Sequence, residues 1–356
     1  MLETRQHGTE THQKSSLSAV GFTRVNSAQK GCKFFHDAPR ILLAVYTSDK
    51  PAEPCDVVGV GANSVDFVNR LPAYPEPQGP FAKMRIQEQA ICCGGQTATA
   101  LATCARLGLR ARYIGATGTD GNGKRIREEL SRRGIDAVDS VIRDVPNQFA
   151  IILVDEQSGE RIVLWDRDER LRLRPREIVR EAVVSARLVH VDDVDQPSAI
   201  LAARMAREAG LPVTSDIDRI TDLTEELIAA VTIPIFAEHV LPGLTGLTDL
   251  EAALRRVRAH HDGLLIVTRG AHGALALQGD RLLRSPGFVV PAVDTTGAGD
   301  VFRGGLILAL LRGWDTETAL QFANAAAAVS CTRLGAMEGV PTVADVEALI
   351  ASSRAS

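Results

Sequence analysis

The chain of 356 residues lacks the features that mark several large classes of protein. Its longest apolar runs, such as residues 41–46, are far shorter than the roughly 20 residues that a helix needs to cross a bilayer. Neither sign of charge dominates, because 40 Lys and Arg residues stand against 44 Asp and Glu residues, with no basic stripe. We therefore expect neither a nucleic acid nor a membrane as partner, but a small neutral or polar ligand.

Cysteines are few and carry no recognisable pattern. The six cysteines include no CxxC pair and have no histidines at metal-ligand spacing, which argues against a zinc site and a disulfide framework. Cys92 and Cys93 are adjacent and precede two glycines, and we interpret them as structural residues. The expectation is a reduced, soluble, cytoplasmic protein.

The first part of the chain differs from the remainder. Residues 1–33 are polar and show no helix or strand periodicity, and the ordered features of a signal peptide are missing. We interpret residues 1–54 as an N-terminal extension, either a disordered tail or a stretch translated from a misassigned start. The folded domain is predicted to span residues 55–356.

From residue 56 onward, short β-branched runs alternate with longer amphipathic stretches, which is typical of repeated βα units and a mainly parallel sheet. The fold class is therefore α/β, a three-layer α/β/α Rossmann-like sandwich. Strands are predicted at residues 57–60, 111–116, 188–191, 213–216, 233–236 and 264–268, and helices at residues 97–107, 123–133, 198–209, 222–230, 247–259 and 298–311. Residues 70–92 and 147–168 break the alternation and predict a small β-sheet lid, with a hairpin turn at residues 157–159.

The strongest chemical signal is the run Asp-Thr-Thr-Gly-Ala-Gly-Asp at residues 294–300, which precedes an apolar helix. Small residues at a strand-to-helix turn let backbone N–H groups approach an anion, and the helix adds its positive end. Gly297, Ala298 and Gly299 are predicted to donate to a transferring phosphoryl group. Asp300 is predicted to accept the proton of the attacking hydroxyl. The alternative is that Asp300 only caps the helix.

This run closely resembles the second signature of the PfkB family of carbohydrate kinases, also called the ribokinase family. Residues 94–123, with their paired glycines, are similar to the first signature, and residues 58–66 match the family's N-terminal strand segment. The resemblance covers nearly all of residues 56–349. It implies a ribokinase-like fold with a β lid, and transfer of the γ-phosphoryl group of ATP to a sugar hydroxyl. It also implies Mg²⁺ carried by the nucleotide and a homodimer formed through the lid.

The resemblance further implies roles for individual residues. Asp66 is expected to accept hydrogen bonds from two sugar hydroxyls, which would discriminate strongly against molecules that lack them. The other residues implied at the acceptor are Asn63, Gly94, Gly95, Gln96 and Thr99. Those implied at the nucleotide are Glu238, Thr268, Arg269, Gly270, Gly273 and Asn324. A potassium site is implied through the backbone at Asp294, Thr296 and Cys331.

Several residues depart from the family pattern or have a second interpretation. Thr99 stands where many family sugar kinases have Asn, and only Glu238 remains of the family's NxxE motif. Arg161 on the lid either contacts the substrate or is an ordinary exposed arginine. Asp120 is interpreted as a helix cap.

Three alternatives to a sugar kinase stay open. Adenosine-type acceptors usually meet an aromatic shelf, and since the chain has only three Tyr and ten Phe residues, a simple sugar is favoured over a nucleoside. A nicotinamide-dependent oxidoreductase is disfavoured because residues 59–64 lack the third glycine of the GxGxxG motif. A non-catalytic sugar or nucleotide sensor would be expected to lack Asp300 or its neighbouring glycines, and both are present.

Overall fold

The structure is a computed structural model that describes residues 55–354, so the predictions for residues 1–54 lie outside the described part. The strands are β1 (Val57–Val60), β2 (Ser64–Leu71), β3 (Glu88–Gly94), β4 (Ala111–Ile114), β5 (Ala116–Gly118), β6 (Val141–Arg143), β7 (Phe149–Asp155), β8 (Arg161–Asp166), β9 (Leu188–Asp192), β10 (Val213–Asp216), β11 (Ile235–Ala237), β12 (Leu265–Thr268), β13 (Ala274–Gln278) and β14 (Arg281–Ser285). The helices are α1 (Gln96–Arg106), α2 (Gly121–Arg132), α3 (Arg180–Val183), α4 (Gln196–Glu208), α5 (Thr224–Ala230), α6 (Val240–Thr245), α7 (Leu250–Arg258), α8 (Ala298–Leu311), α9 (Thr316–Ser330) and α10 (Val343–Arg354).

The central sheet is mainly parallel. Strands β10, β9, β1 and β4 lie side by side in that order and run parallel. Two parallel bridges, Thr214 to Ile233 and Ile217 to Phe236, continue this sheet into β11 and β12. Strands β13 and β14 add an antiparallel edge. The parallel strands therefore end at a common edge, which is where open α/β sheets place their ligands.

Helices cover both faces of this sheet. Successive residues of each strand point to opposite faces, and buried residues occur on both. Val57 packs with the cluster that contains α1, α8 and α9, whereas Val58 packs with the cluster that contains α4, α5 and α7. Ile235 and Phe236 divide between the same two clusters. The predicted three-layer α/β/α sandwich is confirmed.

None of the helices in residues 55–354 is long and apolar enough to span a membrane.

Aspartates fix the start of several helices. The carboxylate of Asp120 accepts a hydrogen bond from the backbone N–H of Gly123 at 2.9 Å, which confirms its interpretation as a cap. Asp249 and Asp315 cap α7 and α9 in the same way. Such caps satisfy backbone donors that the first turn of a helix leaves without partners.

A second, four-stranded sheet forms the lid in the order β3, β2, β7 and β8. Successive side chains of a strand point to opposite faces, so the register divides the lid into two rows. Asp66, Ala150 and Trp165 are neighbours on the face that lines the cleft described below. The opposite face carries the outer row, which we define as Ile91, Phe67, Ile151 and Leu164.

The predicted elements agree with the structure at most positions. Helix α8 and strands β1 and β10 have the predicted bounds, and the hairpin turn at residues 157–159 joins β7 to β8. The lid begins earlier than predicted, because β2 already starts at Ser64 and runs for eight residues through the lid. The β13–β14 hairpin, which follows β12, was not among the predicted elements.

Candidate active site

A cleft of about 850 Å³ opens between the lid and the carboxyl ends of the parallel strands. The residues that lie at or just after these strand ends and line the cleft are Ala62, Val194, Asp218, Ala237 and Thr268. The lid contributes one wall, and the start of α8 contributes the floor between the two ends of the cleft. The cleft thus has the position and size expected of a small-molecule site in this type of fold.

The four predicted catalytic residues all line this cleft, at the turn into α8. Gly297 is the residue before the helix and has a φ of 75°, a left-handed conformation that favours glycine. A Cβ atom there would also lie 2.7 Å from the Cβ of Ala336. The turn therefore presents the backbone N–H groups at the positive end of a 14-residue helix, a geometry that suits an anion. We call residues 297–299 the anion-binding turn.

Asp300 follows this turn in the first turn of α8. Burial raises the pKa of its carboxyl to about 7, against the effect of the Arg303 guanidinium, which favours the carboxylate. The carboxyl group of Asp216 also lies close enough to affect the pKa of Asp300. A carboxyl group that titrates near neutral pH, beside an anion site, has the properties of a general base.

Asp216 and Arg303 are functional candidates that the sequence did not reveal. They form an ion pair of 2.6 Å, and the two side chains are each only 3% exposed. Asp216 ends β10, whereas Arg303 lies one turn into α8. The sequence holds no short motif that joins two residues so far apart. Both residues line the cleft beside Asp300.

On the acceptor side, Asp66 lines the cleft although it is 4% exposed. Its Oδ1 accepts a hydrogen bond from the hydroxyl of Ser64 at 2.8 Å. Its Oδ2 faces Gly94, where a Cβ atom would lie 2.1 Å away, so this position needs a glycine. Burial raises the pKa of Asp66 to about 6. Gly95 and Gln96, which are also among the residues predicted at the acceptor, line the same part of the cleft.

The structure places Asn63 and Thr99 behind the cleft surface. The Asn63 amide donates to the Tyr113 hydroxyl and to the carbonyl of Ala116, both at 2.7 Å, and its Oδ1 accepts from Asn147 at 3.0 Å. Thr99 is fully buried, and its hydroxyl has no hydrogen-bond partner within residues 55–354. These two side chains, like Gly94, do not line the cleft and support the residues that do.

The inner face of the lid carries three larger groups over the acceptor side. Trp165, which is 60% exposed, lies two strands from Asp66 on the same face. Arg167 makes two hydrogen bonds, of 2.9 and 2.7 Å, to the carboxylate of Asp195. Arg161 lines the cleft at the opposite end of β8, and its predicted contact with the substrate stays a prediction. Trp165 was missed because a single aromatic residue in a strand carries no distinctive sequence signal.

The other end of the cleft has the features of a nucleotide pocket. Thr268, Gly270 and Gly273 line it, and the wall opposite is built mostly from small and apolar residues, namely Gly287, Phe288, Val289, Val290, Ala327 and Ala328. Asn324 also lines the pocket, and its amide donates to the carbonyl and the hydroxyl of Ser285 at 3.1 and 2.9 Å. The amide therefore fixes the end of β14 against α9.

Glu238 and Arg269 lie outside this lining. Their side chains approach each other to 4.0 Å, with the Glu238 side chain 51% exposed. Such an exposed pair contributes little to stability. Their predicted roles at the nucleotide stay a prediction.

The residues predicted around a potassium ion lie together beneath the anion-binding turn. The carboxylate of Asp294 accepts from the N–H and hydroxyl of Thr296, at 2.8 and 2.6 Å, and from the N–H of Gly335 at 2.9 Å. The carbonyl of Cys331 accepts from the N–H of Val293 at 2.7 Å. No cluster of His, Cys, Asp or Glu able to hold a metal ion is present in the described residues.

Comparison with known proteins agrees with this geometry. The family model described as pfkB family carbohydrate kinase matches residues 65–343. The chain is 29% identical to a ribokinase of Haemophilus influenzae over 292 residues, which cover 80% of this chain and 94% of that protein. It is 32% identical to an ATP-dependent ribose-1-phosphate kinase of Halopiger xanaduensis over 301 residues, which cover 84% and 98%.

Solved structures resemble this one over the same region. The crystal structure of a putative ribokinase from Agrobacterium tumefaciens superposes with a TM-score of 0.78 at 29% identity, and covers 84% of this chain and 99% of that one. The ribokinase of Thermotoga maritima, at 24% identity and a TM-score of 0.71, shares the fold over 83% of this chain and 99% of that one. On the strength of these matches, the chain belongs to the PfkB family of carbohydrate kinases.

Proposed function

We propose that the protein transfers the γ-phosphoryl group of ATP to a hydroxyl group of a simple sugar, with Asp300 as the general base. The observation that carries this proposal is the position of Asp300. It lies in the cleft directly after the anion-binding turn, and its pKa near 7 leaves it free to accept a proton at neutral pH. The names of the relatives support ATP as the donor and a sugar as the acceptor.

In this mechanism the nucleotide occupies the end of the cleft at Thr268, Gly270 and Gly273, with its γ-phosphoryl group at the anion-binding turn. Mg²⁺ bound with the nucleotide would offset the negative charge of the phosphates. Asp300 takes the proton from the acceptor hydroxyl, and the N–H groups of residues 297–299 stabilise the charge on the transferring group. The lid excludes water, which competes with the acceptor hydroxyl.

The acceptor is proposed to lie over Ala150, between Asp66 and Trp165 on the inner face of the lid. The small Ala150 leaves space on the inner face, and Asp66 offers a buried carboxylate as a hydrogen-bond acceptor. A buried carboxylate is costly when it lacks partners, so acceptors with adjacent hydroxyls are favoured. Trp165 favours a second candidate, a nucleoside, because its exposed ring at the edge of this space can stack on a base.

A coupled assay of ADP release tests these proposals across pentoses, ketohexoses, keto-deoxy acids and nucleosides. We expect a monosaccharide with adjacent free hydroxyls to be the best acceptor, and its deoxy analogues to react at least about 10³-fold more slowly. Asp66→Ala should remove this discrimination and most of the activity. A nucleoside as best acceptor, with Trp165→Ala selectively impairing it, would replace the sugar-kinase proposal with the second candidate.

The base is tested separately with Asp300→Asn, which keeps the shape of the side chain but removes its basicity. We expect turnover to fall by at least about 10²-fold, while the affinity for MgATP, measured by calorimetry, stays near that of the wild type. Turnover within a factor of three of the wild type would remove Asp300 from its proposed role.

A homodimer through the lid is proposed from the outer row. Ile91, Ile151 and Leu164 are 44%, 40% and 53% exposed on one open face of the sheet. A contiguous apolar face of this kind is typical of a protein interface. Since each protomer carries the same face, a two-fold pairing of lids would bury both copies.

Two further properties are proposed. A potassium ion is proposed at the backbone of Asp294, Thr296 and Cys331, because Asp294 holds this loop in a fixed conformation. Carbonyl oxygens suit such an ion, and turnover in potassium compared with sodium buffer tests it. A cytoplasmic location is proposed from the cysteines of the described residues, which are all free.

A further inference from the structure

A buried ion pair lies directly beside the proposed base. Nη2 of Arg303 is 2.6 Å from Oδ1 of Asp216, and water reaches only 3% of either side chain. Arg303 lies three residues after Asp300 on α8, so both side chains are on the same face of the helix. The carboxyl group of Asp216 and the guanidinium of Arg303 both lie close enough to Asp300 to affect its pKa. The pair therefore lies beside the group that is proposed to receive the proton.

This pair is a costly way to hold the fold together. Two buried charges lose their hydration, and a well-packed apolar pair often stabilises a protein as well or better. The Nε of Arg303 has no hydrogen-bond partner within residues 55–354. Its Nη1 lies so close to the anion-binding turn that a Cβ atom on Gly299 would be 2.8 Å away. The cost and the placement together point to a role in the reaction.

We infer that Arg303 and Asp216 are positioning residues of the phosphoryl transfer, which hold Asp300 in place and set the charge that it carries. The inference rests on the proposed role of Asp300. Two carboxyl groups beside one guanidinium retain a proton that isolated carboxyl groups would lose. The Arg303 charge favours the carboxylate of Asp300, and Asp216 keeps the guanidinium beneath the turn.

The step that they support is balanced as follows. The acceptor oxygen loses its proton to a carboxylate oxygen of Asp300 and forms a bond to the γ-phosphorus. The bond between that phosphorus and the bridging oxygen breaks, and its electron pair leaves with ADP. Asp300 then releases the proton to solvent. Arg303 and Asp216 exchange no atoms in this step.

The other charged groups around the cluster do not duplicate this role. They are Arg161 on β8, Asp218 and Arg219 after β10, and Asp193 and His190 on or directly after β9. Asp193 and Arg219 form an ion pair of 3.1 Å and offset each other. Burial lowers the pKa of His190 to about 3, so that it is neutral. Arg161 and Asp218 have opposite charges, so they affect the pKa of Asp300 in opposite directions.

The test is the pH dependence of kcat, at saturating MgATP, with ribose or the best acceptor from the screen. Turnover of the wild type should rise as Asp300 loses its proton near pH 7. Arg303→Met removes the positive charge and should move this rise to higher pH by at least about one unit. Asp216→Asn leaves Arg303 facing Asp300 alone and should move it to lower pH. The double variant should lie closer to the wild type than Arg303→Met does.

Arg143→Met is the matched control. Arg143 forms an ion pair of 2.6 Å with Glu177, with side chains 16% and 18% exposed, and neither residue lines the cleft. The Arg143→Met variant should be less stable than the wild type, without any displacement of the pH profile of kcat. The inference fails if Arg303→Met and Asp216→Asn behave like this control.

Arg303→Lys and the double variant keep the test decisive. If Arg303→Met does not fold, it is replaced by Arg303→Lys, which retains the charge, and by the double variant. An unmoved pH profile in the double variant, together with a lower kcat for Arg303→Lys, supports the inference. Full activity of Arg303→Lys and of the double variant overturns it. Failure of the proposed function is distinct, because Asp300→Asn would then turn over normally.

Discussion

Nη1 of Arg161 lies 3.0 Å from the hydroxyl of Thr295. This contact joins the lid hairpin to the loop that leads into the anion-binding turn. The same hydroxyl lies 3.3 Å from the carbonyl oxygen of Gly159 in the hairpin. No lysine of the described residues lines the cleft. Arg167 and Arg172, the neighbouring arginines of the lid wall, are bound to Asp195 and Glu169.

Unlike these two arginines, Arg161 has no ion-pair partner within residues 55–354, and we expect it to contact the transferring phosphoryl group. Arg161→Met should lower kcat by about 10- to 10³-fold with a smaller change in the KM for ATP, because charge develops mainly in the transition state. Arg161→Lys should restore part of the loss. Steady-state kinetics measures both variants. Arg170→Met, on a surface turn outside the cleft, is the control and should match the wild type. An unchanged kcat for Arg161→Met would contradict this expectation.

Gly299 should not tolerate a side chain. A Cβ atom at this position would lie 2.8 Å from Nη1 of Arg303, which is buried and held by Asp216. Gly299→Ala should displace the guanidinium and lower kcat at least about 10-fold, with a loss of stability within the usual 0.5–3 kcal/mol or so of a single substitution. Gly121→Ala is the matched control, since α2 begins there and no atom lies within 4 Å of the added Cβ. Equal activity of the two variants would show that the space beneath the turn adapts.

The elements that the sequence predicts well are those with a local signal. The α8 bounds follow from the glycine turn and the apolar helix after it, and Asp120 is recognisable as a cap from its place before a helical pattern. β2 was harder to predict, because Ser64 to Leu71 directly continues from a strand of the central sheet and pairs with strands far along the chain. Its assignment to the lid depends on these long-range pairs.

The site shows the same division. Asp300 and the anion-binding turn belong to one short run and were found together, whereas Asp216 and Arg303 meet only when β10 and α8 pack against each other. Asn63 was placed at the acceptor from the family pattern, but its amide is used internally. Type and position in sequence can indicate that a polar residue lies near a site. Which way its side chain points depends on neighbours that only the fold supplies.

The outer row of the lid should determine the oligomeric state. Leu164→Glu places a charge among exposed apolar residues that a lid-to-lid dimer would bury, and burial of an unpaired charge is costly. We expect this variant to be a monomer by light scattering at a concentration where the wild type is a dimer. Val138→Glu, at a residue that is 78% exposed and outside the lid, is the control and should leave the dimer intact. A wild-type monomer, or an unaffected dimer in Leu164→Glu, would contradict the proposed interface.

Asp300→Asn should stabilise the protein at neutral and alkaline pH, although it removes activity. The folded pKa of Asp300, about 7, lies above the usual value of 3.8 for an aspartate, so the folded state binds the proton more tightly than the unfolded state. Ionisation of Asp300 therefore costs stability, with no cost below the unfolded pKa, a growing cost between the two values, and the full cost above about pH 7. Each pKa unit corresponds to about 1.4 kcal/mol, which gives an upper bound of about 4 kcal/mol.

The midpoint of thermal unfolding, measured from pH 4 to pH 9, checks this expectation. The Tm of Asp300→Asn should exceed that of the wild type by a few degrees above pH 7, and the difference should shrink towards zero near pH 4. Asp315→Asn is a control of opposite sign, because hydrogen bonds from Thr318 lower the pKa of Asp315, and its carboxylate stabilises the fold above the unfolded pKa. A Tm difference for Asp300→Asn that does not change with pH would show that the ionised carboxylate is not disfavoured in the folded protein. The base would then be poised by the substrates alone, since neither burial nor the neighbouring Asp216 and Arg303 would have moved its proton affinity.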